Sequence, residues 1–225
     1  MLFDLFHTLV SVPVPALAGE LPAAEHLGVC SLEWQRRYHD EDVFGRCVGR
    51  VTDAFEAMRL VAHSIDPAVP LARIHAAVES RRRCFAIGLV NVEPAILSAL
   101  DRLRAAGIRT ALVSDAGADD VESWPRSPLR ERFDAVVFSY AVGVRKPDRT
   151  MYQRALDGVG VTATDAIFVG DGGSEEHQGA RALGLKTVLV TRLLSYYRAG
   201  VVDARRADAD WEFADVPAFV DALDL

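Results

Sequence analysis

The chain has 225 residues, enough for one large domain or for a core domain with an insertion. Half of the residues are hydrophobic and a quarter are charged, which excludes a disordered, collagen-like or fibrous chain. The 25 basic and 32 acidic residues give a net charge of −7, so we expect no general nucleic-acid-binding function. Three cysteines without zinc-type spacing favour neither a disulfide framework nor a cysteine metal site.

Membrane and targeting signals are absent from the hydropathy pattern. No apolar run approaches the roughly 18 residues of a membrane helix, and the first residues lack the basic and apolar regions of a signal peptide. We therefore expect a soluble, cytoplasmic protein with no membrane partner. The sequence leaves the oligomeric state open.

The first part of the chain combines one short strand with a long helical region. Residues 1–3 form an apolar run that ends at Asp4, and residues 9–15 resemble a turn. Residues 16–86 contain no strand-like pattern. Apolar residues recur there at helical spacing in two sets, which predict two helices: Phe44, Val48, Val51, Phe55 and Met58, then Leu71, Ile74, Val78 and Phe85. The basic run at residues 81–83 is expected on a solvated helix surface; because three successive helix positions point in different directions, at most one or two of these arginines could bind a substrate anion.

After Asn91 the pattern changes to helices alternating with compact apolar runs. The runs are residues 108–113, 135–138, 166–169 and 187–190. Such an alternation predicts an α/β fold, a Rossmann-like parallel sheet with helices on both faces, which the first strand joins. Residues 1–13 and 89–225 are then the core, and residues 14–88 are a helical cap subdomain. Residues 193–210 are expected to be an irregular surface connection before a last strand and a helix at 216–223.

Chemically active side chains follow the predicted strands. They lie at residues 4–8, at Ser114 and Asp115, at residues 139–146 and at residues 170–176. In an open parallel sheet, reactive groups gather at the carboxyl ends of the strands. A carboxylate, a hydroxyl, an ammonium group and an acidic glycine-rich loop would meet there, and this set suits phosphoryl transfer.

Four segments in this order resemble the motifs of the haloacid dehalogenase superfamily. They are FDLFHTL, LVSD, GVRKPD and FVGDGGSEEHQGA. The resemblance spans almost the whole chain and implies a Rossmann-like core with a helical cap. Most members of the superfamily are magnesium-dependent phosphatases, and a smaller branch comprises metal-free dehalogenases.

The resemblance implies roles for individual residues. Asp4 matches the nucleophile that forms an aspartyl-phosphate, which water then hydrolyses. Thr8 and Ser114, with Asp115 beside the latter, match the segments that contact the phosphoryl oxygens. Lys146 matches the lysine that neutralises the nucleophile and the transferring group.

A Mg²⁺ site is implied by the same resemblance. Asp171 matches the principal carboxylate ligand, and Asp4 and the backbone carbonyl of Phe6 complete the direct ligands. Glu176 matches a second acidic residue that contacts the metal through water, a position for which the neighbouring Glu175 competes. The implied partner is a small phosphorylated metabolite.

The first motif departs from the phosphatase pattern at two positions. Phosphatases have a second aspartate two residues after the nucleophile, where it protonates the leaving oxygen, and this chain has Phe6. Loss of a general acid typically lowers the rate about 10²- to 10⁴-fold. The next residue, normally glycine, is His7, and we hypothesise that its imidazole replaces the missing acid.

Two other functions stay open. An aromatic residue at the position of Phe6 is also typical of 2-haloacid dehalogenases, which bind the substrate carboxylate with a cap arginine; Arg36, Arg37 and Arg46 are available. The retained Asp171 favours the phosphatase instead, because dehalogenases replace that residue with serine or asparagine. The third alternative is a catalytically weak metabolite-binding or regulatory protein.

Overall fold

The computed structural model describes residues 1–40, 44–196 and 199–225. Within them the strands are β1 (Leu2–Phe3), β2 (Ala111–Ser114), β3 (Ala135–Phe138), β4 (Ile167–Gly170), β5 (Lys186–Val190) and β6 (Trp211–Phe213). The α-helices are α1 (Ala23–Leu27), α2 (Ser31–Tyr38), α3 (Ala54–Ile65), α4 (Leu71–Val90), α5 (Pro94–Ala105), α6 (Ser139–Val142), α7 (Arg149–Val159), α8 (Glu176–Ala182), α9 (Ala199–Ala207) and α10 (Val216–Asp221).

The six strands form one sheet in the order β3-β2-β1-β4-β5-β6, and every neighbouring pair is parallel. Leu2 of β1 pairs with Ala111 on one side and with Phe168 on the other. The strand order reverses beside β1, where the chain first builds outward to β3 and then returns to β4. Such a switch point leaves a crevice at the carboxyl ends of the strands. The predicted α/β, Rossmann-like fold is confirmed.

Helices cover both faces of the sheet. Successive residues of a strand point to opposite faces, so Phe3 enters one hydrophobic cluster and Leu2 the other. The Phe3 cluster includes Leu100 of α5 and Phe219 of α10, and the Leu2 cluster includes Tyr152 of α7. Burial on both faces explains why the strands read as short continuous apolar runs.

The helices α1–α4 share a third hydrophobic cluster, which contains Leu27, Trp34, Met58 and Ile74. Among the described residues between β1 and β2 the structure has no named strand, as the pattern predicted; residues 41–43 lie outside the described part. Leu89, near the end of α4, packs in the Phe3 cluster of the sheet.

The helix predicted across Phe44 to Met58 is wrong in its first half. Helix α3 begins only at Ala54, where the side chain of Asp53 accepts a hydrogen bond from the backbone N of Glu56. Gly45 and Gly49 adopt left-handed backbone conformations, with φ of 58° and 73°, which interrupt a helix. The apolar residues keep a helical spacing through these turns, although the backbone there is not an α-helix.

The prediction of an irregular connection at residues 193–210 is also wrong, because α9 lies within it; Tyr197 and Arg198 are outside the described residues. Because the segment is polar, its sequence did not indicate this helix. Its polar surface is stabilised by pairs such as Arg206 with Asp203, whose Nη1 and Oδ1 atoms are 3.0 Å apart.

The three arginines at residues 81–83 do not share one exposed face. Arg82 and Arg83 form exposed pairs with Glu79 and Glu20, as expected for a solvated surface. Arg81 instead lies against the loop after β2 and pairs with Asp120. Three successive helix positions point in different directions, so one of them faces the sheet domain.

No single described helix is long and apolar enough to cross a membrane, while one bent pair, α4 with α5 at 51°, meets the criterion by length and composition alone.

Candidate active site

The site lies at the switch point of the sheet. Asp4 directly follows β1 and Asp171 directly follows β4, and these two strands are neighbours. The backbone N of Asp4 donates to the carbonyl of Val169 at 2.9 Å, so the ladder continues to the first residue of the site. Both carboxylates are thereby brought to one edge by backbone pairing.

Asp4 is buried and both of its carboxylate oxygens accept hydrogen bonds. Lys146 Nζ donates to Oδ1 at 2.6 Å, and Thr8 Oγ1 donates to Oδ2 at 2.8 Å. Thr8 reaches back because residues 5–10 form a turn in which the backbone N atoms of Leu9 and Val10 both donate to the carbonyl of Leu5. The carboxylate is therefore held in one orientation.

Lys146 joins two carboxylates. Its Nζ also donates to Glu176 Oε2 at 2.6 Å, and its backbone N donates to Asp115 Oδ1 at 2.9 Å. The ammonium lies 5.8 Å from the centre of the Phe168 ring. The lysine ammonium is a compact charge with several N–H donors, so it can bridge two carboxylates.

Glu176, and not Glu175, faces the site. Glu176 is fully buried, and its Oε1 accepts from the backbone N of Gly172 at 2.7 Å. Glu175 is exposed at the surface of the same loop. The competition between the two residues is thus decided by the loop geometry, in which Ser174 and Glu175 both have positive φ.

Three buried carboxylates form a possible cation site. One ligand oxygen from each of Asp4, Asp171 and Glu176 lies within 4.8 Å of the others. Carboxylate oxygens are hard ligands of the kind that Mg²⁺ prefers. The residues therefore fit a divalent cation in chemistry and placement, while the roles of these ligands and of the Phe6 carbonyl stay predictions.

Burial and mutual charge shift the ionisation of the cluster. Burial raises the pKa of Asp4, with Lys146 opposing and Asp171 adding to the rise. Burial likewise raises the pKa of Glu176 well above its ordinary value, and Lys146 opposes it. For Lys146, burial lowers the pKa, but the facing carboxylates of Asp4 and Glu176 outweigh burial and hold it well above its ordinary value. The ammonium is therefore charged at neutral pH.

A cavity of about 270 Å³ opens above these groups. Its lining comprises Asp4, Phe6, His7, Asp115, Lys146, Asp171, Gly173, Ser174, Glu176 and Arg205. Most of the predicted site residues line it, but Thr8 and Ser114 do not. Thr8 contacts the site through Asp4, and Ser114 Oγ is buried with no hydrogen-bond partner among the described residues. The direct phosphoryl contacts expected of these two hydroxyls stay predictions.

Phe6, which lines the cavity, is held by aromatic packing. The Phe6 ring packs edge-on against Phe85 of α4, with centroids 5.3 Å apart. The guanidinium of Arg81 lies 4.3 Å from the centre of the Phe85 ring on the same helix. His7, at φ 65°, lines the cavity beside Phe6. One apolar side chain, Phe6, thus lines the cavity together with the charged groups.

One site residue escaped the sequence interpretation. Arg205 of α9 donates from Nη1 to Asp171 Oδ2 at 2.7 Å and to the carbonyl of Asp171 at 2.9 Å. No motif marked it, because arginine is abundant in this chain and α9 was expected to be irregular. In the sequence, Arg205 is a basic residue two positions before the end of a helix that leads to the next strand. Basic residues are too common at such positions for this feature to identify a site residue.

Comparisons with known proteins agree with this architecture. A family model for haloacid dehalogenase-like hydrolases matches residues 56–190, more than half of the chain. The chain belongs to this family of hydrolases, and the family resemblance read from the four motifs is confirmed.

Individual relatives divide between two activities. Glyceraldehyde 3-phosphate phosphatase of Pyrococcus abyssi is 33% identical over 98 residues, which cover 42% of this chain and 40% of that protein. (S)-2-haloacid dehalogenase 1 of Pseudomonas sp. strain CBS-3 is 25% identical over 197 residues, covering 85% and 83%. A crystal structure of a dehalogenase superposes with a TM-score of 0.68 at 20% identity, covering 98% and 95%. The matches span about half or less of the length of the first curated relatives.

Proposed function

We propose that the protein is a Mg²⁺-dependent phosphatase that hydrolyses a small phosphorylated metabolite through a phosphorylated Asp4. The observation that carries this proposal is the cluster of Asp4, Asp171 and Glu176 beside Lys146. Carboxylate oxygens grouped in this way are ligands of the kind that Mg²⁺ prefers. Phosphatases among the relatives support the same class of reaction.

In the proposed reaction, one carboxylate oxygen of Asp4 attacks phosphorus and the ester P–O bond breaks. The leaving oxygen takes a proton from His7 or from solvent water and departs as the alcohol. Water then attacks phosphorus, breaks the bond to Asp4 and releases inorganic phosphate with the carboxylate restored. Thr8 and Lys146 hold the Asp4 carboxylate in position, and Lys146 adds positive charge beside the transferring group. A bound Mg²⁺ would neutralise further negative charge on that group.

The cavity dimensions favour a small substrate. A volume of about 270 Å³ is below the usual range for drug-sized ligands and suits a phosphoryl group with a few additional atoms. Phe6, which lines the cavity, offers no proton to the leaving oxygen. Substrates with good leaving groups are therefore expected to react fastest.

A 2-haloacid dehalogenase is the second candidate, and Phe6 is the observation that favours it. In that reaction Asp4 would attack carbon, halide would leave and water would hydrolyse the ester. The arginines weighed for its substrate carboxylate are already paired with acidic side chains: Arg36 and Arg37 with Glu33, and Arg46 with Asp119 and Asp120. This pairing favours the phosphatase.

The test is hydrolysis of p-nitrophenyl phosphate by the wild type and by Asp4→Asn, with Mg²⁺ and with EDTA. Glu175→Gln is the matched control, since it makes the same carboxylate-to-amide change on the exposed side of the loop. We expect Mg²⁺-dependent turnover in the wild type and the control and a loss of at least about 10³-fold in Asp4→Asn.

The alternatives give different results. Halide release from 2-chloropropionate in EDTA, lost in Asp4→Asn, would establish the dehalogenase instead. Stabilisation by a phosphorylated metabolite without turnover of either substrate would indicate a binding protein.

A further inference from the structure

Arg205 reaches the candidate active site from a helix that contributes no other cavity-lining residue among those described. Helix α9 lies between β5 and β6, outside the four motifs. The Arg205 side chain is 14% exposed, and its Nη1 contacts both Oδ2 and the backbone carbonyl of Asp171. Two contacts to one residue define its direction more closely than a single surface ion pair does.

The loop after β4 is shaped to admit this arginine. Gly172 has φ of 81°, and a Cβ built on it would lie 3.0 to 3.1 Å from Cβ, Cγ and Cδ of Arg205. The aliphatic part of the arginine therefore rests directly on the glycine backbone. A larger residue at position 172 would displace it.

With Arg205 in place, both carboxylate oxygens of Asp171 accept hydrogen bonds. Oδ1 accepts from the backbone N of Gly173 at 3.0 Å, and Oδ2 accepts from Arg205. In the same way, Lys146 engages the carboxylates of Asp4 and Glu176. The two basic side chains thus offset most of the negative charge of the three carboxylates.

We propose that Arg205 is an exchangeable counter-ion that competes with a divalent cation for Asp171 and so sets the cation affinity of the site. This inference rests on the proposed metal-dependent function: the guanidinium occupies Oδ2, so a cation that binds Asp171 through that oxygen would have to replace it. Arg205 acts through Asp171 and is a positioning residue. Its removal strengthens cation binding, whereas removal of an ordinary supporting contact weakens it.

The experiment measures Mg²⁺ binding by isothermal titration calorimetry after chelator treatment and dialysis. It compares the wild type with Arg205→Gln, Arg205→Lys and Arg206→Gln. Arg206 is the matched control, because it lies next on α9 and carries the same charge, but its Nε pairs with Glu212 at 2.8 Å. It therefore corrects for the change in net charge.

We expect Arg205→Gln to bind Mg²⁺ about tenfold more tightly than the wild type, since a charge-assisted competitor is lost. Arg205→Lys should have an intermediate affinity, and Arg206→Gln should stay within about twofold of the wild type. The Mg²⁺-induced rise in Tm at a fixed Mg²⁺ concentration should follow the same order and provides a readout independent of calorimetry.

The outcomes separate this inference from the proposed function. Unchanged or weaker Mg²⁺ affinity in Arg205→Gln overturns the inference, and a raised KM with unchanged Mg²⁺ affinity assigns the residue to substrate binding instead. Binding in Arg205→Gln without binding in the wild type supports the inference and contradicts the magnesium dependence of the wild type. Absence of Mg²⁺ binding in all four proteins overturns both.

Discussion

Phe6 packs edge-on against Phe85 of α4, with ring centroids 5.3 Å apart, two residues after the buried carboxylate of Asp4. The contact connects the loop after β1 with the helical region inserted behind it. It places a side chain that has no exchangeable proton at the wall of the cavity. Release of the leaving oxygen therefore depends on which group donates the proton that an aspartate at position 6 would donate.

Introducing a carboxyl group at position 6 should restore acid catalysis. We expect Phe6→Asp to raise kcat/KM for an alkyl phosphate about 10²-fold, because an alkoxide leaves poorly without a proton. The value for p-nitrophenyl phosphate should change much less, since its leaving group needs little protonation. Phe6→Asn is the control, because it removes the same ring without supplying a proton. An equal gain in Phe6→Asn would contradict acid catalysis.

His7 is the candidate acid in the wild type. The hypothesis predicts that His7→Gly lowers kcat for an alkyl phosphate about 10²-fold, because the alkoxide then leaves without a donated proton. Glycine is chosen because the residue has φ of 65°, which alanine tolerates poorly. Turnover of p-nitrophenyl phosphate serves as the internal control. An unchanged kcat for the alkyl phosphate in His7→Gly would rule out this role.

Glu176 and Glu175 are neighbouring glutamates that differ in burial, so their glutamine variants can be compared directly. We expect Glu176→Gln to lower kcat/KM at least about tenfold and to raise the Mg²⁺ concentration needed for half-maximal activity, because the amide weakens the contacts with Lys146 and the cation site. Glu175→Gln should stay within about twofold of the wild type, since that residue is exposed. Equal losses in both variants would show that general loop charge, not the buried carboxylate, matters.

A buried ion cluster connects the helical region to the loop after β2. Asp120 pairs with Arg46 and Arg81 and accepts from the backbone N of Gly117 at 2.9 Å. Asp120→Asn should lower the free energy of unfolding by about 3 kcal/mol, because Asp119 is then, among the described residues, the one remaining carboxylate for the two guanidinium groups of Arg46 and Arg81. Urea denaturation measures this, with the exposed Glu122→Gln as the control.

The same cluster predicts a pH dependence of stability. Burial raises the pKa of Asp120, but Arg81 and Arg46 outweigh burial and lower it to about 2 from its ordinary 3.8. The unfolded state therefore takes up the proton first as pH falls. The contribution of Asp120, about 2 kcal/mol, is present above pH 4 and is lost as pH falls towards 2. Asp120→Asn should lack this component of the acid transition, and an identical acid midpoint in both proteins would contradict the assignment.

The sequence alone determined the α/β sheet and the residues that follow its strands. Fully buried parallel strands require short apolar runs, and their carboxyl ends meet at one edge of the sheet. The sequence alone therefore predicts that Asp4, Lys146 and Asp171 lie close together. The four motifs, in their order along the chain, also resemble those of the haloacid dehalogenase superfamily, a resemblance that the family model confirms. These are properties of local pattern and chain order.

Tertiary structure decided the features that depend on packing between distant segments. The choice of Glu176 over Glu175 follows from a loop with two positive φ angles, and the break before α3 follows from left-handed glycines within a continuous apolar spacing. Helix packing directs Arg81 towards Asp120 and Arg205 towards Asp171, and the sequence predicted neither contact. The direction of a long charged side chain is set by its partner across the fold, and no local pattern in the chain encodes that partner.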